Sequence, residues 1–347
     1  MSKHDSRHKW GKQAPIVDVH AHIVTPTIVA AAREGTELHG VAYSITADGR
    51  LASRWEGRDR ILPWPDFAEP ISQRLENMDK SNVDAHVLSF SPNLINYEIQ
   101  SEHAIPFARM INDEIALIIS DHPDRFYGFG YLPLQDPEAC ADELARLMAL
   151  PGFIGAILGT NEETTGLDDP AMHALFESAV ESSALMFIHP IGTRIPGFLD
   201  RYHMRNLIGN PLATTLAFTS MLFGGVLDRF PSLQLCLAHG GGYACLGIGR
   251  IDHGYLVRPE AIASEIPSSY LKRVYVDSLV HDQGTLRLIM DRVGPDRVLL
   301  GSDYPADMGQ PDPIGWVRGS TNLTHVEQSA VLGDNFARML AQLSRDA

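Results

Sequence analysis

A (β/α)8 TIM barrel is the α/β fold that this sequence predicts, and three observations carry the prediction. Eight short apolar runs recur along the chain, helical patterns fill most of the intervals, and no Gly-rich dinucleotide fingerprint follows any run. The runs cover residues 15–23, 83–90, 125–134, 153–160, 184–191, 233–241, 273–279 and 297–305. They read as near-continuous apolar segments such as "ALMFIHPI", the pattern of parallel strands buried on both faces. A doubly wound open sheet is the runner-up.

Spacing and end signals justify the helices. "DPEACADELARLMAL" has proline in its first turn, then apolar residues at three- and four-residue steps, and "DDPAMHALFESAVESS" does the same. "PLATTLAFTSMLFGGVLDRFP" is long and apolar, which predicts a sandwiched helix with Gly224 and Gly225 allowing backbones to approach closely. "DQGTLRLIMDRVG" and "THVEQSAVLGDNFARMLAQL" supply the last two. Residues 24–82 break the rhythm. They are too long for a simple crossover and contain the turn-rich, partly β-like "AYSITADGRLASRWEGRDRILPWP". This predicts a small inserted subdomain, 24–82, over the barrel mouth, within a single domain (15–347) that follows a polar tail (1–14).

Composition narrows the function. Apolar residues at 44% with 20% charged describe a soluble globular protein with a sizeable core. A formal charge of −15 argues against nucleic acid or an anionic membrane as partner, so a small anionic substrate needs locally placed arginines. Cys140, Cys236 and Cys245 lie in patterned segments without zinc-finger spacing and read as buried thiols of a reducing compartment. The polar start lacks an apolar signal core and no run approaches bilayer length, so the expectation is a cytoplasmic protein.

Barrel active sites sit at the C-terminal ends of the strands. There the sequence places His20 and His22 on the first strand, His189 on the fifth, His239 on the sixth and Asp303 on the eighth. A lone histidine on an apolar strand is ordinarily a satisfied core residue, but five metal-competent residues closing runs at one end of a barrel are not explained that way. Three imidazoles and one carboxylate (His20, His22, His189 and Asp303) suit one Zn²⁺ with an open position for water. His239 is then the free acid–base group, with Asp303 joining it in catalysis. Gly240 to Gly242 let the backbone pass close to substrate or metal. A second metal would need a bridge. "FIGAILGTNEE" has no lysine, which leaves Glu162 or Glu163, and one metal is expected. Asp18 shares a strand face with the two histidines and is a candidate to orient a ligand, while Asp277 is open between structural and catalytic roles. Candidate anion binders are Arg54, Arg58 and Arg60 in the insertion, Arg194 after His189, and Arg250 and Arg258 after the sixth strand.

H-A-H, H-P, A-H-G-G-G and G-S-D-Y-P, in that order, resemble the amidohydrolase superfamily, and more closely its metal-dependent decarboxylase branch. The likeness is specific in the second half, through "GNPLATTLAFTSMLFGGVLDRFPSLQLCLAHGGG" and "LVHDQGTLRLIMDRVGPDRVLLGSDYP", and loose through 24–80. It implies a zinc-dependent, oxygen-independent decarboxylase, active as a homodimer. His20, His22, His189 and Asp303 match the metal ligands and His239 the acid–base histidine. Arg258 matches an arginine that reaches the neighbouring subunit's site. The resemblance also implies a tryptophan after His189, which this segment lacks, with Arg194 nearby instead. The leading expectation is decarboxylation of an unsaturated or aromatic carboxylic acid. The rivals are a hydrolase or hydratase with the same ligand set, and a catalytically dead metal-stabilised binding protein.

Overall fold

Strands that are apolar on both faces must be covered on both sides, and the chain satisfies this by alternating them with helices. The computed structural model describes residues 14–62, 68–160, 166–191 and 201–346. In chain order, β1 (Val17–Ile23) and α1 (Pro26–Glu34) precede four short strands, β2 (Glu37–Leu38), β3 (Val41–Ile45), β4 (Leu51–Trp55) and β5 (Arg58–Ile61), then α2 (Ile71–Ser81). The alternation continues through β6 (Ala85–Phe90), α3 (Ser101–Asp121), β7 (Phe126–Tyr131), α4 (Pro137–Met148), β8 (Phe153–Gly159) and α5 (His173–Glu181). Next come β9 (Leu185–His189), α6 (Asn210–Phe223), α7 (Val226–Arg229), β10 (Gln234–Leu237), α8 (Ala244–Val257) and α9 (Pro267–Tyr270). The chain finishes with β11 (Tyr275–Asp277), α10 (Gln283–Val293), β12 (Val298–Leu299), α11 (Pro313–Arg318), α12 (His325–Ser329) and α13 (Asn335–Asp346).

Eight of the strands form one parallel sheet in the order β1-β6-β7-β8-β9-β10-β11-β12. The sheet closes where β1 meets the last segment. Val19 N donates to Leu300 O (2.8 Å), Asp303 N to His20 O (2.8 Å) and His22 N to Tyr304 O (2.7 Å). Closure removes the open edges and makes this a (β/α)8 TIM barrel.

The other four strands form a separate antiparallel sheet, β2-β3-β4-β5. Val41, Tyr43, Leu51 and Ser53 turn inward while Ala42, Ser44 and Arg54 face water, the alternation of a sheet covered on one side. All eight predicted barrel strands form, several of them shorter than their apolar runs. The run 233–241 yields only Gln234–Leu237, ahead of His239, which is left-handed (φ 55°). The run 297–305 yields only Val298–Leu299 as regular strand, though Asp303 and Tyr304 still bond to β1. The 21-residue α3 was not among the predicted helices, since Pro106 in its second turn interrupts the local signal. Gly225 is not a close-approach position. It is left-handed (φ 78°) with open space around its Cβ direction, and it serves the turn between α6 and α7. The three cysteines are buried and unpaired. No described helix is long and apolar enough to cross a membrane.

Candidate metal and catalytic site

His20 and His22 share a face of β1, whose register against β6 shifts between Asp18 and Ala21. With His189, at the last residue of β9, and Asp303, just past β12, they form one buried group. One ligand atom from each lies within 4.8 Å of every other. His20 Nε2 and His22 Nε2 are 3.1 Å apart, and Asp303 Oδ1 lies 3.3 Å and 3.0 Å from them.

The opposite ring nitrogens are anchored. His20 Nδ1 meets Asp277 Oδ2 at 2.7 Å, His22 Nδ1 meets Ser89 Oγ at 2.9 Å, and His189 Nδ1 meets Pro190 O at 2.8 Å. Where the anchor can only accept, as a carboxylate or carbonyl does, Nδ1 must carry a proton, so the neutral ring presents its Nε2 lone pair inward. His189 Nε2 is buried there without a hydrogen-bond partner. An orphaned acceptor facing three other convergent donors is an unsatisfied arrangement for a dry core, and a divalent cation satisfies it.

Charge agrees with this. Burial lowers the His20 pKa, but Asp303 and Asp277 beside it more than compensate and push it up to about 10. Burial opposes ionisation of Asp303 too, yet His20 and the neighbouring imidazoles hold it well below the usual carboxylate range. Burial drives His22 down to about 4 and His189 well below an ordinary imidazole, so both are neutral near pH 7. The metal-free cluster is thus a His20 cation between two carboxylates, net negative by one. Loading a metal must displace the His20 proton, whose folded pKa is raised, so affinity increases with pH until about 10. Calorimetric titration near pH 7.5, in buffers of different ionisation enthalpy, is expected to show about one proton released per metal ion. Zero protons released would contradict this charge assignment.

His239 stands beside the cluster without belonging to it. Its ring centroid is 5.2 Å from those of His20 and His189, and its Nε2 is 3.9 Å from Asp303 Oδ2. Asp277 fixes its place, accepting from His239 N at 2.9 Å and Gly240 N at 2.8 Å. One carboxylate therefore holds the His20 ring and the backbone that presents His239. This resolves the two roles left open for Asp277 in favour of positioning. Asp18, in contrast, does not reach a ligand ring. It accepts from His20 N and Ser302 N, each at 3.0 Å, and from Ser302 Oγ. Gly240 to Gly242 are all left-handed, and a Cβ on Gly242 would lie 2.0 Å from Pro211 O. Gly242 thus packs against α6, while the Cβ direction of Gly240 faces Val280 and Ile289 and that of Gly241 faces Val276 and Leu237.

A cavity of about 560 Å³ opens above these residues, within the usual range for a small-molecule site. His22, His189, His239 and Asp303 line it together with Trp55, Arg58 and Arg60 from the small sheet. Arg58 pairs with Glu98 at 2.5 Å, and Arg60 donates to Ile95 O. Arg54 is not in the lining. It is exposed and held by Asp59 at 2.5 Å and 2.9 Å. Arg250 and Arg258 are exposed outside the cavity, Arg258 at the end of α8. Arg194, Glu162 and Glu163 lie outside the described residues. The sequence reading missed His203, Arg205, Asn206 and Asn210, which line the cavity around a π-helical turn, Arg205–Gly209, leading into α6. The polar cluster "DRYHMRN" ahead of an apolar helix was the available signal.

Residues 17–341 match the amidohydrolase family (Amidohydro_2). Among curated proteins, the chain is 36% identical over 270 residues to 2-amino-3-carboxymuconate-6-semialdehyde decarboxylase of Dictyostelium discoideum, covering 77% of this chain and 75% of that one. It is 30% identical over 263 residues to gamma-resorcylate decarboxylase of Rhodococcus jostii, covering 67% and 76%. Among solved structures, a mutant 5-carboxyvanillate decarboxylase of Novosphingobium aromaticivorans with bound manganese superposes with a TM-score of 0.76 at 20% identity, over 94% of this chain and 97% of that one. The protein belongs to the amidohydrolase family, on the branch that holds these decarboxylases.

Proposed function

We propose that this protein is a metal-dependent carboxy-lyase that removes CO₂ without oxidation from an unsaturated or aromatic carboxylic acid. The observation that carries the reading is the four-donor cluster with an orphaned His189 Nε2, set beneath a cavity rimmed by arginines. His20, His22, His189 and Asp303 would hold one Zn²⁺, or another divalent ion, per chain. When bound, the ion supplies Lewis-acid polarisation of a substrate oxygen, or water of lowered pKa.

This chain's own residues do the rest. Arg58, Arg60 and Arg205, which line the cavity, orient the substrate carboxylate, a task suited to a planar fork of donors. Arg194 is assigned to the same group from its place after His189. The bond to the carboxyl carbon breaks, its electron pair stays on the substrate carbon, and a proton from His239 takes the vacated place as CO₂ leaves. Solvent then reprotonates His239. Asp303, which would be a ligand of the ion and also lies beside His239, links the two functions. The small sheet serves as a cover over the barrel mouth and brings the arginines to the anion.

The test is a screen of metal-replete protein against muconate-type and hydroxybenzoate-type acids. One CO₂ per substrate is expected, lost on chelation and restored by Zn²⁺ or Mn²⁺. Turnover that adds water and releases no CO₂ would move the protein to the hydratase or hydrolase alternative.

The active form is a homodimer in which Arg258 crosses to the partner's cavity, a reading supported by its exposure at the end of α8 and its absence from its own cavity lining. Mixing Arg258→Ala with His239→Asn chains, each nearly inactive alone, is expected to restore activity toward half of wild type per mixed dimer. No recovery despite verified subunit exchange would exclude the crossing.

A further inference from the structure

Among the described residues, Arg74, 1% exposed, is the largest side chain buried so fully. An isolated guanidinium in such a place is costly, so its contacts need a reason. It comes from α2, outside the barrel, and its Nη2 donates to the backbone carbonyl of His22 at 2.6 Å. Its plane sits over the Tyr304 ring, 4.9 Å from the centroid, and Nη1 lies 3.4 Å from His86 Nδ1. Tyr304 is held in turn by Glu69, with Oε2 accepting from its hydroxyl at 2.6 Å, and by Asn77 of α2, which donates to the same hydroxyl at 3.0 Å.

The carbonyl of His22 needs this donor for a topological reason. Along the seam that closes the barrel, Asp303 N bonds His20 O and His22 N bonds Tyr304 O. The next donor up the ladder would come from just beyond Tyr304, but Pro305 has no N–H and Ala306 N turns back to Asp303 O at 2.7 Å. Without Arg74 the carbonyl of a ligand residue would be buried and unpaired, on the strand that carries two of the four ligands.

The remaining anchors of His20 and His22 come from the barrel itself, through Asp18, Ser89, Asp277, Asp303 and Tyr304. Arg74 alone in this set comes from a helix. We propose that Arg74 is a positioning residue for the metal site, the strut by which α2 sets the β1 ligands against Asp303. The proposal rests on the metal reading above.

The experiment measures the dissociation constant for Co²⁺ by chelator competition, the visible spectrum of the cobalt-loaded protein, and melting temperatures with and without metal. It compares wild type, Arg74→Met and Arg74→Lys. Arg74→Met is expected to weaken metal binding about 10- to 100-fold, the usual cost of losing an outer partner of a ligand. It should also alter the cobalt spectrum and shrink the melting shift that metal produces. Arg74→Lys keeps the charge but lacks the fork, so binding should weaken at least about threefold; this variant decides the matter if Arg74→Met does not fold. Binding within twofold of wild type in every folded variant, with equal melting losses loaded and unloaded, would overturn the proposal and leave Arg74 a purely structural buried cation. Wild-type protein that takes up no divalent ion would remove the metal assignment and this proposal with it.

Discussion

Replacing His239 by asparagine is expected to leave the metal and the fold in place while lowering turnover by about 10³-fold, within the range for a positioned acid–base group. The ring of His239 makes no contact on which the barrel depends: its Nδ1 is buried without a hydrogen-bond partner, and its Nε2 is 3.9 Å from Asp303. What fixes its position is the backbone bond from His239 N to Asp277, which asparagine retains. Asparagine also tolerates the left-handed conformation that His239 adopts at φ 55°. The variant therefore removes the proton donor and little else. The checks are metal content by elemental analysis beside kcat. A variant that loses its metal would make His239 a ligand and overturn the separation of roles.

His22→Ala and Asp303→Ala are expected to do the opposite, abolishing activity by emptying the site. Each removes one of four convergent donors, and Asp303 also carries the charge that draws the cation in. Metal affinity should fall by more than the ~10- to 100-fold that loss of an outer partner costs. Asp303→Ala carries a second penalty, because alanine is poorly suited to φ 62°. His22→Ala has no such strain, so the two together separate ligand loss from backbone strain. Retained stoichiometric metal in both would contradict the four-donor site.

The barrel was legible in the sequence because buried parallel strands are written as local apolar runs, and the convergence of the five candidate site residues because each closes such a run. What escaped depends on contacts between distant segments. Nothing near Asp277 announces that it holds both His20, 257 positions away, and the His239 backbone. Ser89 and Arg74 reach His22 across 67 and 52 positions, and neither sits in a recognisable motif. Asp18 was legible as a neighbour of the ligands, but not that it would act through the His20 backbone and Ser302 rather than through a ligand ring. The insertion arginines carry no periodic signal that separates Arg54, spent on Asp59, from Arg58 and Arg60 in the cavity.

The central claim is that His239 delivers a proton to the carbon that loses CO₂, in a site built on a divalent metal. Its most direct test is product analysis after anaerobic turnover in D₂O, with an acid that the screen identifies as substrate and with CO₂ counted in parallel. The account predicts one CO₂ and one deuterium per product, the deuterium at the carbon that bore the carboxylate, with no need for oxygen or an organic cofactor. A product that keeps its carboxylate and gains the elements of water would contradict it.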